Sequence, residues 1–433
     1  MAAAGDIEPQ RKRWGLTILL TMYAGYMALM LCRNTLIAAS PAMIEDPTLG
    51  FDKETYGQVM SWHSAGAIAG KIVYGLGADR LGGRLMFFLV LSVTALSNVA
   101  FGLVSSLTMF KVFHFTGQFG KSGGWPSMAK LICHWYRPNQ HGRMWSIIST
   151  SSRVGTIFAM LLVGSMIEYT SWRAAFFLTA GIAGMIAIAA LLLLRERPQD
   201  VGLPPLDEDA TESRTHPLDS LGLAAACVKF VMSARFWLIG ASVGCLTVLV
   251  DFLTFIPIFL RETLAVSQGG ASMASTSFIA GMFVALIATG IAYDRFSKSQ
   301  LVWVLGAMLL FACGCVLTML SFPELDLSEA MRKNMAVVTL FAFGFSIAPA
   351  YYVPMSIFSV AFGGKHSGFL IAVIDIFGYA LALLFNYFGG TIAQDYGWTV
   401  FLQVLLTVAV IATVTTVGFL FLDARAEKKI ARP

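Results

Sequence analysis

Ten residues decide how this chain is read: Gly75-Leu76-Gly77-Ala78-Asp79-Arg80-Leu81-Gly82-Gly83-Arg84. Four glycines around an Asp-Arg pair permit a tight turn and close helix approach, and a carboxylate such as Asp79 suits a helix N-terminus or an arginine partner. Apolar runs near 56–77 and 85–104 flank the turn. Each has the roughly 20 residues that a helix needs to cross about 30 Å of hydrocarbon. A solvated charged turn is the plain alternative. The degenerate echo Tyr293-Asp294-Arg295, which also follows an apolar run, favours a structured loop between two helices over a solvated turn.

Composition agrees with a membrane setting. Of 433 residues, 57% are apolar and 13% charged, against roughly 45–50% and about 25% in a soluble domain. So little charge cannot cover a soluble surface, and the surface must face lipid. The content of 33 Phe and 40 Gly fits helical membrane proteins. Six cysteines (Cys32, Cys133, Cys227, Cys245, Cys313, Cys315) show no CxxC or Cys/His spacing, so neither a metal site, a cofactor nor a disulfide framework is expected. No nucleophile–base pair or phosphate-cradling loop stands out, which argues against an enzyme. The net charge of +5 fits basic cytoplasmic loops better than nucleic-acid binding.

Twelve membrane-length runs follow one another, near 15–40, 56–77, 85–104, 107–132, 144–167, 174–194, 235–260, 271–292, 301–321, 335–362, 367–390 and 398–421. The fold class is therefore an all-α membrane protein with twelve transmembrane helices in two six-helix halves. Its parts are an N-terminal tail (1–14), a first half (15–194), a cytoplasmic linker rich in Pro, Asp and Glu (195–234), a second half (235–421) and a C-terminal tail (422–433). The first run follows Arg11, Lys12 and Arg13 and is too long for a signal-peptide core, so it reads as a retained signal anchor. Basic residues cluster at the termini and on alternate loops, with acidic residues on the others. That bias places both termini in the cytoplasm, in a plasma or inner membrane. Three pairs in register suggest a six-plus-six duplication: Asp79-Arg80 with Asp294-Arg295, His141-Gly142 with His366-Ser367-Gly368, and Tyr169-Thr170-Ser171-Trp172 with Asp395-Tyr396-Gly397-Trp398.

A charge at the bilayer centre costs at least about 2.5–3.5 kcal/mol, so each must be paired or face water. Six qualify: Arg33, Lys71, Lys121 and Arg153 in the first half, Asp251 and Asp375 in the second. Their sum is +2, which a dianion would neutralise. Helical spacing puts His114, Gln118, Lys121 and Trp125 on one face of the fourth run, and Asp375, Tyr379 and Asn386 on one face of the eleventh. Thr247, Asp251 and Thr254 align in the seventh. Tyr351 and Tyr352 stand beside Pro349 and Pro354, where a broken helix would free carbonyls. Lys121 or Arg153 could instead be a permanent partner of Asp375 or Asp251. His114 is kept as a charge-pairing or coupling candidate, although a satisfied core histidine is the plainer reading for it and for His63. The acids admit three roles: a bridge released by substrate, a protonated coupling group, or a partner for a zwitterion's ammonium.

The run Gly123-Gly124-Trp125-Pro126, then His134-Trp135 and Gly142-Arg143-Met144-Trp145-Ser146, resembles the organophosphate:phosphate antiporter family of the major facilitator superfamily. Tyr26, Arg33 and Pro41 in the first run, Lys71 in the second, and Arg195-Glu196-Arg197-Pro198 with Val201-Gly202-Leu203 in the linker add to the likeness. The resemblance implies a carrier in which Arg33 clamps a phosphoryl group, Lys71 supports it, and two halves rock about a central cavity. The Gly75–Arg84 stretch also resembles the superfamily's loop signature, which implies that Asp79, Arg80 and Arg84, with Asp294 and Arg295 in the echo, latch or gate conformations and do not bind substrate. The family's second-half arginine falls at or near Leu249, and its His-Asn pair falls on Ser152-Arg153. The expected function is secondary transport of a small organic anion, most readily a phosphorylated metabolite, with inorganic phosphate or protons as coupling ion, by a monomer in the bilayer. The substrate-binding set is Arg33, Lys71, Lys121, Arg153, Tyr351 and Tyr379, with Asp251, Asp375 and His114 coupling or pairing charges. Two alternatives stand beside it: a proton-coupled carrier of a carboxylate or zwitterion, and a sugar-phosphate sensor that does not transport.

Overall fold

A computed structural model describes residues 4–205, 222–292, 296–322, 328–363 and 367–430, and every regular element among them is helical. The chain separates into two compact units, Met1–Gly50 with Trp62–Ser213, and Phe51–Ser61 with Arg214–Pro433. Among the described residues ten segments are long and apolar enough to cross a membrane. The second and fourth expected runs are helical but fall outside that set. The second carries Lys53, Glu54, His63 and Lys71 on one helix, and the fourth is divided.

Residues of the first unit belong to α1 (Ala4–Ile44), α2 (Lys53–Leu81), α3 (Gly83–Leu103), α4 (Leu107–Lys121), α5 (Gly124–Trp135), α6 (Pro138–Ile167) and α7 (Trp172–Leu193). Local chemistry sets their starts. Pro138 occupies the first turn of α6, where its missing N–H costs nothing, and the side chain of Gln140 accepts from the N–H of Arg137. Ser171 caps α7 by accepting from the N–H of Ala174. The expected single run 107–132 is parted at Ser122 and Gly123. Pro126 supplies the reason, because it has no N–H to offer the Ser122 carbonyl four residues back. The core of this unit is aliphatic and aromatic, with Met22, Leu29, Phe87, Val90, Leu131 and Ile132 fully buried.

The second unit contains α8 (Leu223–Val231), α9 (Ala234–Asp251), α10 (Ile256–Leu264), α11 (Gln268–Ala274), α12 (Thr276–Ala292), α13 (Lys298–Ser321), α14 (Glu329–Gly363), α15 (Ser367–Asp395) and α16 (Gly397–Ile430). A 3-10 turn, Phe252–Thr254, joins α9 to α10, with Pro257 in the first turn of α10. The tenth run differs from the expected broken helix: α14 continues through both Pro349 and Pro354. Each proline removes one ladder donor, opposite the carbonyls of Phe345 and Ala350, without ending the helix. The core here is phenylalanine-rich: Phe252, Phe255, Phe259, Phe278, Phe343 and Phe401 are buried.

The first residues of α2 pack within this second unit. The hydroxyl of Tyr56 donates to the Thr254 carbonyl at 2.8 Å, and its ring meets Phe255 edge to face at 5.8 Å. Lys53 Nζ lies 2.9 Å from Glu262, and the indole N–H of Trp398 donates to the same carboxylate at 2.8 Å. Gly57 lies against Gly390, so close that an added Cβ would strike the carbonyl of Asn386.

Candidate functional site

Arg33 stands in the last third of α1, and its neighbours fix the turn that carries it. Asn34 Nδ2 donates to the hydroxyl of Thr156 on α6 at 3.2 Å, and Thr35 donates to the hydroxyl of Thr179 on α7 at 3.1 Å. From α3, Asn98 Nδ2 donates to the Cys32 carbonyl and to Thr179, each at 3.3 Å. Buried polar groups satisfied in this way rigidify their surroundings. The turn of α1 that carries Arg33 is thereby tied to three other helices.

Lys121 is in the last turn of α4, a favourable end for a cation. Its side chain is buried, and Nζ lies 5.9 Å from the ring centre of Tyr26. The charges of Arg33, Lys71 and Arg153 all reach it. On α6 the Arg153 Nη1 donates to the hydroxyl of Ser152 at 3.0 Å. Four cations from α1, α2, α4 and α6 are thus gathered in one region of the first unit.

A small cavity of about 10 Å³ opens among Arg33, Lys121, His63, Asn98, His114 and Gln118. The rings of His63 and His114 face each other with centres 4.7 Å apart. The expectation that both are satisfied core histidines fails: among the described residues neither nitrogen of His63, nor Nε2 of His114, has a hydrogen-bond partner. An imidazole on one helix reveals nothing about the imidazole opposite it on another, so the sequence carries no signal for the pair. The motif aromatics form a ladder beside this region, with Trp125 lying 5.0 Å from both Tyr26 and Trp145.

In the second unit, Asn386 Nδ2 donates to Asp251 at 2.5 Å. The Thr/Asp face of the seventh run and the Asp/Tyr/Asn face of the eleventh therefore meet inside one unit. Asp375 and Tyr379 are half-buried on α15, and Tyr351 packs edge to face on Tyr352 at 4.7 Å. Leu249, at or near which the resemblance puts the family's second-half arginine, is fully buried.

Of the gating set, Asp294 and Arg295 lie outside the described residues, as do the side chains of Asp79 and Arg80. Arg84 is placed clearly: its guanidinium donates to the Leu191 carbonyl at 2.7 Å. The N–H groups of Gly83 and Arg84 donate to Glu196 at 2.9 and 2.8 Å. Gly82 has a φ of 73°, a left-handed conformation that favours glycine. The first turn of α3 has no acidic residue of its own, and Glu196 supplies the carboxylate its unpaired N–H groups need. Sequence reading noted Glu196 as motif and missed this role. The signal available was a helix start at the glycine pair Gly82-Gly83, with no capping side chain.

Comparison with known proteins places the chain. The family model described as Major Facilitator Superfamily matches residues 22–331 and 252–433. The chain is 27% identical over 430 residues to the probable hexose phosphate transport protein of Chlamydia trachomatis serovar D, covering 94% of this chain and 91% of the relative. It is 25% identical over 416 residues to the glycerol-3-phosphate transporter of Bacillus subtilis (strain 168), covering 93% and 91%. It is also 25% identical over 427 residues to the membrane sensor protein UhpC of Escherichia coli (strain K12), covering 96% and 94%. Among solved structures, a bacterial homologue of the human lysosomal transporter Spinster matches with a TM-score of 0.75 at 18% identity, covering 95% of this chain and 97% of that one. The resemblance read from the Gly-Trp-Pro and linker motifs is borne out by these relatives, and with ten membrane-length helices among the described residues and a family model spanning nearly its whole length, this multi-pass membrane chain belongs to the major facilitator superfamily.

Proposed function

We propose that this chain carries a small phosphorylated organic anion across the membrane by alternating access, with Arg33 as the main phosphoryl ligand and Lys71, Lys121 and Arg153 around it. The gathering of four cations in the first unit is the observation that carries the reading. Like charges held together in hydrocarbon repel one another and lose hydration. A dianion seated among them offsets both costs, through charge-assisted contacts worth about 1.5–3 kcal/mol each. The relatives named for hexose phosphate and glycerol-3-phosphate transport support the substrate class. Asp251, Asp375, Tyr351 and Tyr379 are the second unit's contribution to binding or coupling, with inorganic phosphate or protons as the coupling species. The basic loops support cytoplasmic termini.

Thermal-shift measurements on the purified protein with glycerol 3-phosphate, a hexose 6-phosphate and carboxylates of similar size test the assignment. A ligand stabilises by mass action, about 2.7 kcal/mol at 100 times its Kd. Stabilisation by the phosphate esters that disappears in Arg33→Ala is the expected result. Stabilisation by a carboxylate alone rejects the phosphorylated substrate. Likeness to a membrane sensor supports a second reading, binding without turnover. Counterflow of labelled substrate in proteoliposomes separates the two, since only a carrier produces it.

A further inference from the structure

His63, His114 and Gln118 form the least satisfied corner of the first unit. They are 3%, 7% and 3% exposed, yet among the described residues both ring nitrogens of His63, His114 Nε2 and Gln118 Oε1 have no hydrogen-bond partner. Buried polar atoms are nearly always paired. Four unpaired atoms on three side chains around one cavity therefore point to a ligand that completes them. Gln118 lies one helical turn beyond His114, which puts both on the face of α4 that borders the cavity.

Size and polarity identify the ligand's chemistry. The cavity's volume of about 10 Å³ matches the room one water-sized group needs, and is too small for a second phosphoryl group, a carboxylate or a sugar ring. An uncharged imidazole offers one donor and one acceptor, and an amide oxygen only accepts. A hydroxyl both donates and accepts, so it can satisfy an amide oxygen or ring nitrogen while taking a hydrogen bond from an imidazole N–H. A methyl group of the same size would leave every one of these atoms unpaired. Arg33 and Lys121 line the same cavity, so a hydroxyl held here lies next to the site assigned to the phosphoryl group.

We infer that His63, His114 and Gln118 form a hydroxyl-binding subsite that selects phosphate esters carrying a hydroxyl near the phosphoryl group. Water occupies it when no substrate is bound, and the substrate's hydroxyl takes its place on loading. The inference rests on the phosphorylated-anion reading above and adds to it the residues that discriminate among phosphate esters.

Isothermal titration of the purified full-length protein with glycerol 3-phosphate and with propyl phosphate, which lacks the hydroxyls, is the test. A site built to hydrogen-bond a hydroxyl rejects the analogue without it, and binding of glycerol 3-phosphate at least about tenfold tighter is expected. In His114→Phe, which keeps ring volume beside Phe101 and His63 but removes the nitrogens, and in Gln118→Leu, the ratio should fall towards unity. Equal affinities in the unaltered protein overturn the subsite and leave the phosphorylated-anion reading standing, because a permanent structural water would give that result. Selectivity unchanged in both variants also overturns it. Failure of both esters to bind overturns the reading beneath it as well. The comparison of two ligands on the unaltered protein needs no variant to fold.

Discussion

Arg33, the phosphoryl ligand proposed above, carries a planar fork on a fixed turn of α1. Asn34, Thr35 and Asn98 fix the α1 turn through hydrogen bonds to α6 and α7 and to the Cys32 carbonyl, and the rigid guanidinium plane presents paired donors to an anion. Arg33→Lys keeps the charge but loses the bidentate geometry. It is expected to weaken glycerol 3-phosphate binding by about 1.5–3 kcal/mol, measured by titration. Asp46 gives a pH-dependent counterpart outside the spans. The Thr48 hydroxyl at 2.6 Å, the Trp172 indole at 2.9 Å and the Thr48 N–H at 3.0 Å all donate to it and hold its carboxyl below the usual range. Its folded value lies below its unfolded one, so its contribution is complete above the unfolded value of about 3.9 and is lost as pH falls through the folded value. Melting of Asp46→Asn should therefore change less than that of the unaltered protein on acidification below about pH 4. The four cations were legible because a charge inside an apolar run cannot be overlooked. His63 was not, since its significance lies in an unpaired ring facing another helix, and that is a property of packing.

Among elements, the junction of α2, α3 and the linker shows how two motifs become one structure. The Gly82-Gly83-Arg84 turn and the Arg195-Glu196 run are read separately along the chain. In space the carboxylate of Glu196 sits on the first N–H groups of α3, and a Cβ on Gly82 would come within 3.1 Å of Glu196 Oε2. Gly82→Ala is expected to cost about 1–3 kcal/mol from its positive-φ, glycine-only backbone, and Glu196→Ala about 1–3 kcal/mol from the two lost charge-assisted bonds. The double variant should cost less than the sum, because the alanine at 82 disturbs the same contact. Thermal melts of the three proteins check this, and strict additivity would mean the two residues act apart. At Gly57 and Gly390 the backbones approach too closely for any side chain. Gly57→Leu should accordingly lower transport in proteoliposomes more than a surface leucine does, by separating α2 from α15. Where helices divide was less legible than where they lie. Pro126 parts the fourth pass while Pro349 and Pro354 leave α14 whole, and a proline alone does not say whether neighbouring helices will tolerate its missing bond.

Across the whole molecule, the repeat inferred from short matches has a physical echo within each unit. Trp172, at the start of α7, donates its indole N–H to Asp46 in the first unit, and Trp398, at the start of α16, donates to Glu262 in the second. Corresponding tryptophans making the same bond to a carboxylate after the first or seventh pass are what a duplication preserves. The assignment of Phe51–Ser61 to the second unit was beyond the sequence, because contacts between residues 200 or more positions apart, such as Lys53 with Glu262, leave no local trace. The proposed even number of passes would put the two ends on one side, and the positive charges of Arg11, Lys12 and Arg13 and of Arg425, Lys428 and Lys429 oppose translocation of either end. The loops carrying Asp46 and Glu168 have the opposite bias. In a bacterial host, a fluorescent protein fused after Pro433 should therefore fold and fluoresce, while alkaline phosphatase, active only across the membrane, should work when inserted near Thr48 or Thr170 and fail after Pro433. Neutralising Arg11, Lys12 and Arg13 together should lower the correctly oriented fraction without abolishing it, because the later basic loops still vote for the same orientation. Active phosphatase after Pro433 would invert the topology and place Glu196, with the α3 junction it caps, on the outer face.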